Sequence, residues 1–190
     1  MKKVLVSILL VFLTVSVFAA NKEMIVAGGC FWCVQADFDK VPGVVKTIVG
    51  YDGGYSTNPT YEKVAMGKTH YAEAVKIIYN PDKVSYQQLL SYFWRHIDPT
   101  VKDAQFCDHG AQYRSAIFYL NASQKQQALA SKESIEKLFP KVYTEVSKST
   151  HFYPAEKYHQ DYYKKNPVRY KYYRWNCGRD DRVKEVWRGK

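Results

Sequence analysis

The stretch MIVAGGCFWCVQADF, Met24 to Phe38, passes from an apolar run through two glycines to a pair of cysteines. Met24–Ala27 has the length and composition of a short buried strand, and Phe31 to about Asp39 has a helical pattern. A strand, a tight Gly-Gly turn and a helix start therefore place Cys30 at a helix N-terminus. Unpaired backbone N–H groups and the helix dipole favour an anion at such a position. A thiolate is an anion, so the expected pKa of Cys30 is lowered and the thiol is reactive at neutral pH. Gly28 and Gly29 let the backbone turn and keep the approach open.

Four uses of Cys30-x-x-Cys33 compete: a structural disulfide, a metal clip, a redox pair, and a nucleophile beside an aromatic pocket. A zinc site could draw on Cys30, Cys33, Cys107, His109 and Cys177, but the second half of the chain has no matching pair at ligand spacing. A thioredoxin-like oxidoreductase also sets Cys-x-x-Cys at a strand–helix junction. Phe31 and Trp32 either begin the buried face of the helix or wall a substrate pocket.

Outward from this stretch, helix and strand signals alternate. Val44–Tyr51 reads as a strand and YDGGYSTNPT as a long loop. Ala72–Tyr79 reads as a second full strand carrying one acid, Glu73, among apolar residues. Ser85 and Gln88 form a capping box before SYQQLLSYFWRHI, which Asp98-Pro99 ends. The loop TVKDAQFCDHGAQ precedes a strand, Tyr113–Leu120. Ser123 and Gln126 repeat the capping-box pattern before a helix to about Phe139. Val142–Ser147 is the expected last strand, Ala155–Lys165 the last sizeable helix, and a tail follows from Asn166. The expectation is one α/β domain in which helices cover a mixed sheet.

The 190 residues suit a single domain with a substantial core. The first twenty stand apart: Lys2 and Lys3 precede an apolar run from Val4 to Phe18, ending in the small residues of a cleavage site. This reads as a secretory signal peptide, residues 1–20, cut after Ala19 or Ala20. Residues 21–190 are then the mature domain, exported to the periplasm in a bacterium and with no stable membrane association after cleavage. The net charge is +10, or +8 without Lys2 and Lys3. Its Lys and Arg are scattered, and no nucleic-acid motif accompanies them, so a solvated basic surface is expected and nucleic acid is not an expected partner. Four cysteines in an exported chain suggest bridges. A domain of this size does not need them for stability, so catalytic use stays open.

The segments GGCFW, GGY (Gly53–Tyr55), NPTYEKV, AEAVKIIYNP, CDHGAQYRSAIF and YPAEKYHQDYYKKNP occur in the order and at the spacings of one family. From about Met24 to the end, the chain resembles the A-type peptide methionine sulfoxide reductases. The resemblance implies a two-layer α/β (α+β) fold related to the ferredoxin-like βαββαβ sandwich, with extra helices and a C-terminal tail. It implies reduction of methionine S-sulfoxide, free or in proteins, without metal or organic cofactor. Cys30 matches the family's nucleophile and Glu73 its acid, which burial would keep protonated. Tyr61 and Tyr113 match donors to the sulfoxide oxygen. Asp108 matches a carboxylate that orders the polar side of the site, and Phe31 and Trp32 match the wall for the substrate methyl. A second thiol would turn the Cys30 sulfenic acid into a disulfide. Thioredoxin or a thioredoxin-like protein would then reduce it. The family places resolving thiols in the tail, so Cys177 is preferred to Cys33 as the resolving residue, with Cys107 a relay or the partner of Cys177 in a bridge. Departures are Cys33 and Gln35, where Gly and Glu are common, Tyr71 and Ile97, where His is common, and the lack of a glycine-rich tail.

Overall fold

The structure, a computed structural model, describes residues 20–190. The expected leader, residues 1–20, lies outside the described residues apart from Ala20. No helix among the described residues is long and apolar enough to cross a membrane.

A six-stranded sheet organises the chain. Its strands are β1 (Lys22–Gly28), β2 (Val44–Asp52), β3 (Ala72–Tyr79), β6 (Ser115–Tyr119), β7 (Glu145–Lys148) and β8 (Tyr153–Pro154), in the order β7-β6-β1-β3-β2-β8. The ribbon β4 (Ala104–Gln105) and β5 (Asp108–His109) stands apart. The helices are α1 (Phe31–Phe38), α2 (Tyr61–Ala65), α3 (Tyr86–Trp94), α4 (Ala122–Glu136), α5 (Tyr162–Lys165), α6 (Pro167–Asn176) and α7 (Arg179–Val186). The central strands β6-β1-β3-β2 pair antiparallel, with α1 linking β1 to β2 and α3 lying between β3 and β6. This is the ferredoxin-like order. Strand β7 adds parallel to β6 through α4, which makes the sheet mixed, and β8 adds antiparallel to β2.

Alternation along the strands sorts two cores. Val26, Tyr51, Val75, Ile77 and Ile117 face the main core, together with Phe31, Val34, Leu89, Leu90 and Phe93. Ile25, Ala27, Ala72, Ala74, Ala116 and Phe118 face the other side. The two-residue period that sends Ala72 and Ala74 to the second face sends Glu73 to the first. Glu73 is thus an acid at the end of an apolar row under a helix start.

The capping box of α3 forms as read. The Gln88 N–H donates to Ser85 Oγ at 3.2 Å, and the Ser85 N–H donates to Gln88 Oε1 at 2.8 Å. Three expectations are corrected. The cap of α4 is Asn121, whose Oδ1 accepts from the Gln124 N–H, and not Ser123 with Gln126. Two capping signals overlap there, and the earlier asparagine starts the helix. Tyr113 closes a 3-10 turn, Ala111–Tyr113, so β6 begins only at Ser115. Ala155–Lys165 is not one helix; its only helical turn is α5. Gln160 bonds both the N–H and C=O of Val49, as an added strand residue would, and Asp161 sits at φ +54°. The positive φ of Asp161 is incompatible with a continuous helix.

The tail from Asn166 is folded rather than loose. Pro167 starts α6, where its missing N–H costs nothing. Gly178 at φ +65° turns the chain into α7. Trp187 Nε1 then donates to the Ile97 carbonyl at 3.0 Å, and Arg182 pairs with buried Asp98 at 2.8 Å. These contacts bring α6 and α7 back against the N-terminal end of α1.

Candidate active site

The turn between β1 and α1 is tight for steric reasons. Gly29 has φ +82°, and a Cβ there would lie 2.6 Å from Gln105 Cβ. This turn presents Cys30 as the N-cap of α1, with no side-chain capping bond of its own. Around Cys30 stand groups from four separate elements. Glu73 on β3 accepts the Phe31 N–H at 2.9 Å through Oε2, using one of the free donors of the helix start. Asp108 on β5 lies near enough for its charge to act on the Cys30 thiol. Tyr61 opens α2 and Tyr113 ends the 3-10 turn; the charges of Glu73 and Cys30 act on both.

Burial governs the protonation of this cluster. It pushes the Glu73 carboxyl up to about 8, against the opposing pull of the Phe31 N–H. Burial likewise raises Asp108 and moves Tyr61 to about 12 and Tyr113 higher still. At neutral pH Glu73, Tyr61 and Tyr113 are proton donors. The expected lowering of the Cys30 pKa is not found. Burial, the hydrogen bond with Cys33 and the negative charges of Glu73 and Asp108 push the Cys30 thiol up. Cys33 moves the other way, because Cys30 donates to it and Arg179 and Arg174 lie near. Desolvation outweighs the helix N-terminus at Cys30.

The protonated Glu73 has a consequence for stability. Its unfolded carboxyl ionises near 4.5 and its folded one near 8. Between those values the folded chain holds a proton that the unfolded chain has released, so stability is lost as pH rises through this window. Glu73→Gln, which mimics the protonated form, should melt at the same temperature as the parent near the lower limit and above it near the upper limit. Thermal melts across that range check this; an equal gap at both ends would contradict the assignment.

Phe31 and Trp32 differ in setting. Phe31 is buried, its ring 5.0 Å from His159 and 6.5 Å from Tyr61. Trp32 is half-buried, stacks on Tyr162 at 3.8 Å and donates from Nε1 to His159 Nδ1 at 3.1 Å. The sequence reading missed several residues here. Glu156 accepts from the Tyr51 hydroxyl at 2.8 Å and the Tyr61 N–H at 2.9 Å, which orients Tyr61. Tyr173 on α6 donates to Asp108 Oδ2 at 2.7 Å and meets Trp32 edge-on at 6.0 Å. His159 lies in YPAEKYHQDYY, which marks the region but not the contact.

The cysteines fall into two pairs. Cys107 and Cys177 are bonded to each other, with Cα atoms 5.0 Å apart, while Cys30 and Cys33 are free and buried. Cys177, the preferred resolving residue, is thus bonded to Cys107, one of the two arrangements expected for that pair. Among the described residues, Cys107, Asp108 and Cys177 are the group whose potential ligand atoms come within 4.8 Å of one another; Cys30, Cys33 and His109 are not in it.

Known proteins resemble this chain in sequence and fold. The family described as peptide methionine sulfoxide reductase matches residues 22–190. A Rhizobium meliloti protein named peptide methionine sulfoxide reductase MsrA 2 is 48% identical over 178 residues, covering 93% of this chain and 89% of its own. The Vibrio cholerae MsrA/MsrB protein is 48% identical over 92% of this chain, which spans only 47% of that longer relative. Among solved structures, reduced Mxr1 from Saccharomyces cerevisiae superposes with a TM-score of 0.74 at 32% identity, over 78% of this chain and 87% of that one. Mxr1 has also been solved in complex with Trx2. By sequence over nearly all its described length, and by fold, the chain belongs to the peptide methionine sulfoxide reductase family, in its A type.

Proposed function

We propose that this chain is an exported enzyme that reduces the S epimer of methionine sulfoxide, free or in proteins, and so repairs oxidised exported proteins. One observation carries the chemistry: a buried carboxyl held protonated at neutral pH, Glu73, shares the N-terminus of α1 with Cys30. Cys30 attacks the sulfoxide sulfur, losing its thiol proton to solvent as the S–S bond forms. The oxygen takes the Glu73 proton as the S–O bond breaks. Tyr61 and Tyr113 hold that oxygen, Asp108 orders the polar side of the site, and Phe31 and Trp32 wall the methyl group. The released oxygen, now as water, bonds to the Cys30 sulfur and loses a proton; the bond between Cys30 and the methionine sulfur breaks, methionine leaves with that electron pair, and Cys30 becomes a sulfenic acid.

In this reading Cys33 resolves the sulfenic acid, in place of Cys177. Its thiol is free and buried in the same cluster as Cys30, three residues along α1, whereas Cys177 is held by Cys107. A thioredoxin-like dithiol then reduces the Cys30–Cys33 bond; the complex of the relative Mxr1 with Trx2 supports a donor of that class. The apolar run from Val4 to Phe18 behind two lysines supports export, which periplasmic fractionation with N-terminal sequencing of the mature chain tests.

A pocket whose donors reach one oxygen position leaves buried donors unpaired with the wrong epimer, a costly outcome. Racemic methionine sulfoxide incubated with excess dithiothreitol should therefore stop near half conversion, with the R epimer left. Full conversion would refute the assigned pocket. A general disulfide reductase built on Cys30 and Cys33 would instead reduce insulin and be indifferent to Glu73.

A further inference from the structure

Behind Cys33, on the side away from Glu73, the folded tail inserts two arginines that the reaction above does not use. Asp37 lies one turn beyond Cys33 on α1, so the two side chains share a face. Its carboxylate is buried and meets Arg174 Nη1 at 2.9 Å and Arg179 Nε at 3.7 Å. Arg179 is itself only 2% exposed. Its Nη1 donates to the Gly28 carbonyl at 3.0 Å and its Nη2 to the His96 carbonyl at 2.9 Å. Its guanidinium lies 4.5 Å from the Phe106 ring centre. Its Nε has no hydrogen-bond acceptor. Arg174 also donates from Nη1 to the Tyr170 hydroxyl at 3.0 Å, and its outer edge pairs with the exposed Asp180. One buried carboxylate is thus shared by two guanidiniums, and Arg179 reaches no other anion.

A buried cation without a full partner is costly. The arrangement makes sense if an anion forms there during the reaction. The titratable and charged groups facing Cys33 are Cys30 at the turn, Glu73 on β3, Asp37 on its own helix, Tyr170, Tyr173 and Arg174 on α6, and Arg179 on α7. The two arginines are the cations among them, and Cys33 is the group beside them that must become an anion for the sulfenic acid to be resolved.

We propose that Arg179, assisted by Arg174, is a positioning residue for the resolving step, holding Cys33 as a thiolate. The inference rests on Cys33 being the resolving thiol. The thiolate attacks the sulfur of the Cys30 sulfenic acid. The S–S bond forms, the S–O bond breaks, and the departing hydroxide takes a proton to become water. Cys33 is oxidised and the Cys30 sulfur reduced to the disulfide. When an external dithiol attacks Cys30, the same cations receive Cys33 as the leaving thiolate; the second thiol of the dithiol then frees Cys30 and carries away the two electrons as its own disulfide. The Cys107–Cys177 bond, which ties the end of α6 to the loop carrying Phe106, helps keep both arginines in place.

The test compares Arg179→Met, which removes charge but keeps apolar length, with Arg179→Lys, which keeps charge. In the Cys30→Ser background, Cys33 ionisation is followed by its ultraviolet thiolate absorbance. The midpoint should move up in Arg179→Met and back toward the parent in Arg179→Lys. Each unit lost means about tenfold less thiolate below the midpoint. With Cys30 present, one equivalent of methionine sulfoxide and no donor, the Cys30–Cys33 bond should form about tenfold more slowly in Arg179→Met, relative to methionine release in the same sample. Arg174→Met, which leaves the Gly28 and His96 carbonyls paired, repeats both measurements if Arg179→Met does not fold. An unmoved midpoint in the folded methionine variants overturns the proposal. Mapping the parent's disulfides separates the two ideas: a Cys30–Cys177 bond, or a Cys107–Cys177 bond that forms only when Cys30 is present, sinks the resolving role of Cys33 and with it this inference. A Cys30–Cys33 bond with unmoved midpoints sinks the role of the arginines alone.

Discussion

Replacing Cys30 by serine should abolish methionine formation from methionine sulfoxide while leaving the chain folded. The serine hydroxyl is a poor nucleophile towards sulfur, and no group in the site would deprotonate it: Glu73 is itself protonated, and Asp108 is engaged by the Tyr173 hydroxyl. The fold has little to lose. Cys30 makes no side-chain capping bond to α1, whereas serine is a favoured N-cap whose oxygen can accept a free N–H of the first turn, worth up to about 1 kcal/mol. Turnover should fall to the uncatalysed background with a melting temperature equal to or slightly above that of the parent. Substantial turnover in the folded variant would remove Cys30 from the role of nucleophile.

Glu73→Gln should slow the first turnover by about 10²–10⁴-fold, the usual contribution of a general acid. Glutamine keeps the shape and can still accept the Phe31 N–H, so Cys30 and the start of α1 stay in place. What is lost is the proton that must reach the departing oxygen. In the parent, the single-turnover rate should fall as pH rises through about 8, where Glu73 ionises, and the variant should lose that limb of the profile. Tyr61→Phe and Tyr113→Phe taken singly should cost less than Glu73→Gln, because each leaves the other hydroxyl beside Glu73. A Glu73→Gln enzyme with parental single-turnover rates would overturn the acid assignment.

Much of this site was legible locally. Met24–Phe38 encodes strand, turn and helix within reach of its own residues, because an apolar run, paired glycines and helical spacing each act over a few positions. The same holds for the capping box of Ser85 and Gln88. Period two in AEAVKIIY suffices to turn Glu73 toward the helices, and the order of the quoted motifs suffices for the family. The expectations that failed were also local, one overridden by an earlier cap and one by a contact distant in sequence. Ser123 and Gln126 made a valid capping signal that Asn121 pre-empted. Ala155–Lys165 was helical in pattern, but Gln160 found the edge of β2.

Other features depended on what lies around a residue in space. The Cys30 thiol moves up, because burial and two neighbouring acids outweigh a helix end that is plain in the sequence. The tail carries only weak local signals, yet it brings Tyr173 to Asp108, Cys177 to Cys107, and Arg174 and Arg179 to Asp37. The sequence by itself determined the nucleophile's position at the start of a helix, the acid's position on the core face of a strand, and the family. The tertiary structure alone decided which cysteines pair, which side chains close over Cys30 and which way each thiol's pKa moves. Secondary structure follows from neighbours along the chain, whereas desolvation and charge pairing depend on groups up to 151 residues apart, as for Gly28 and Arg179.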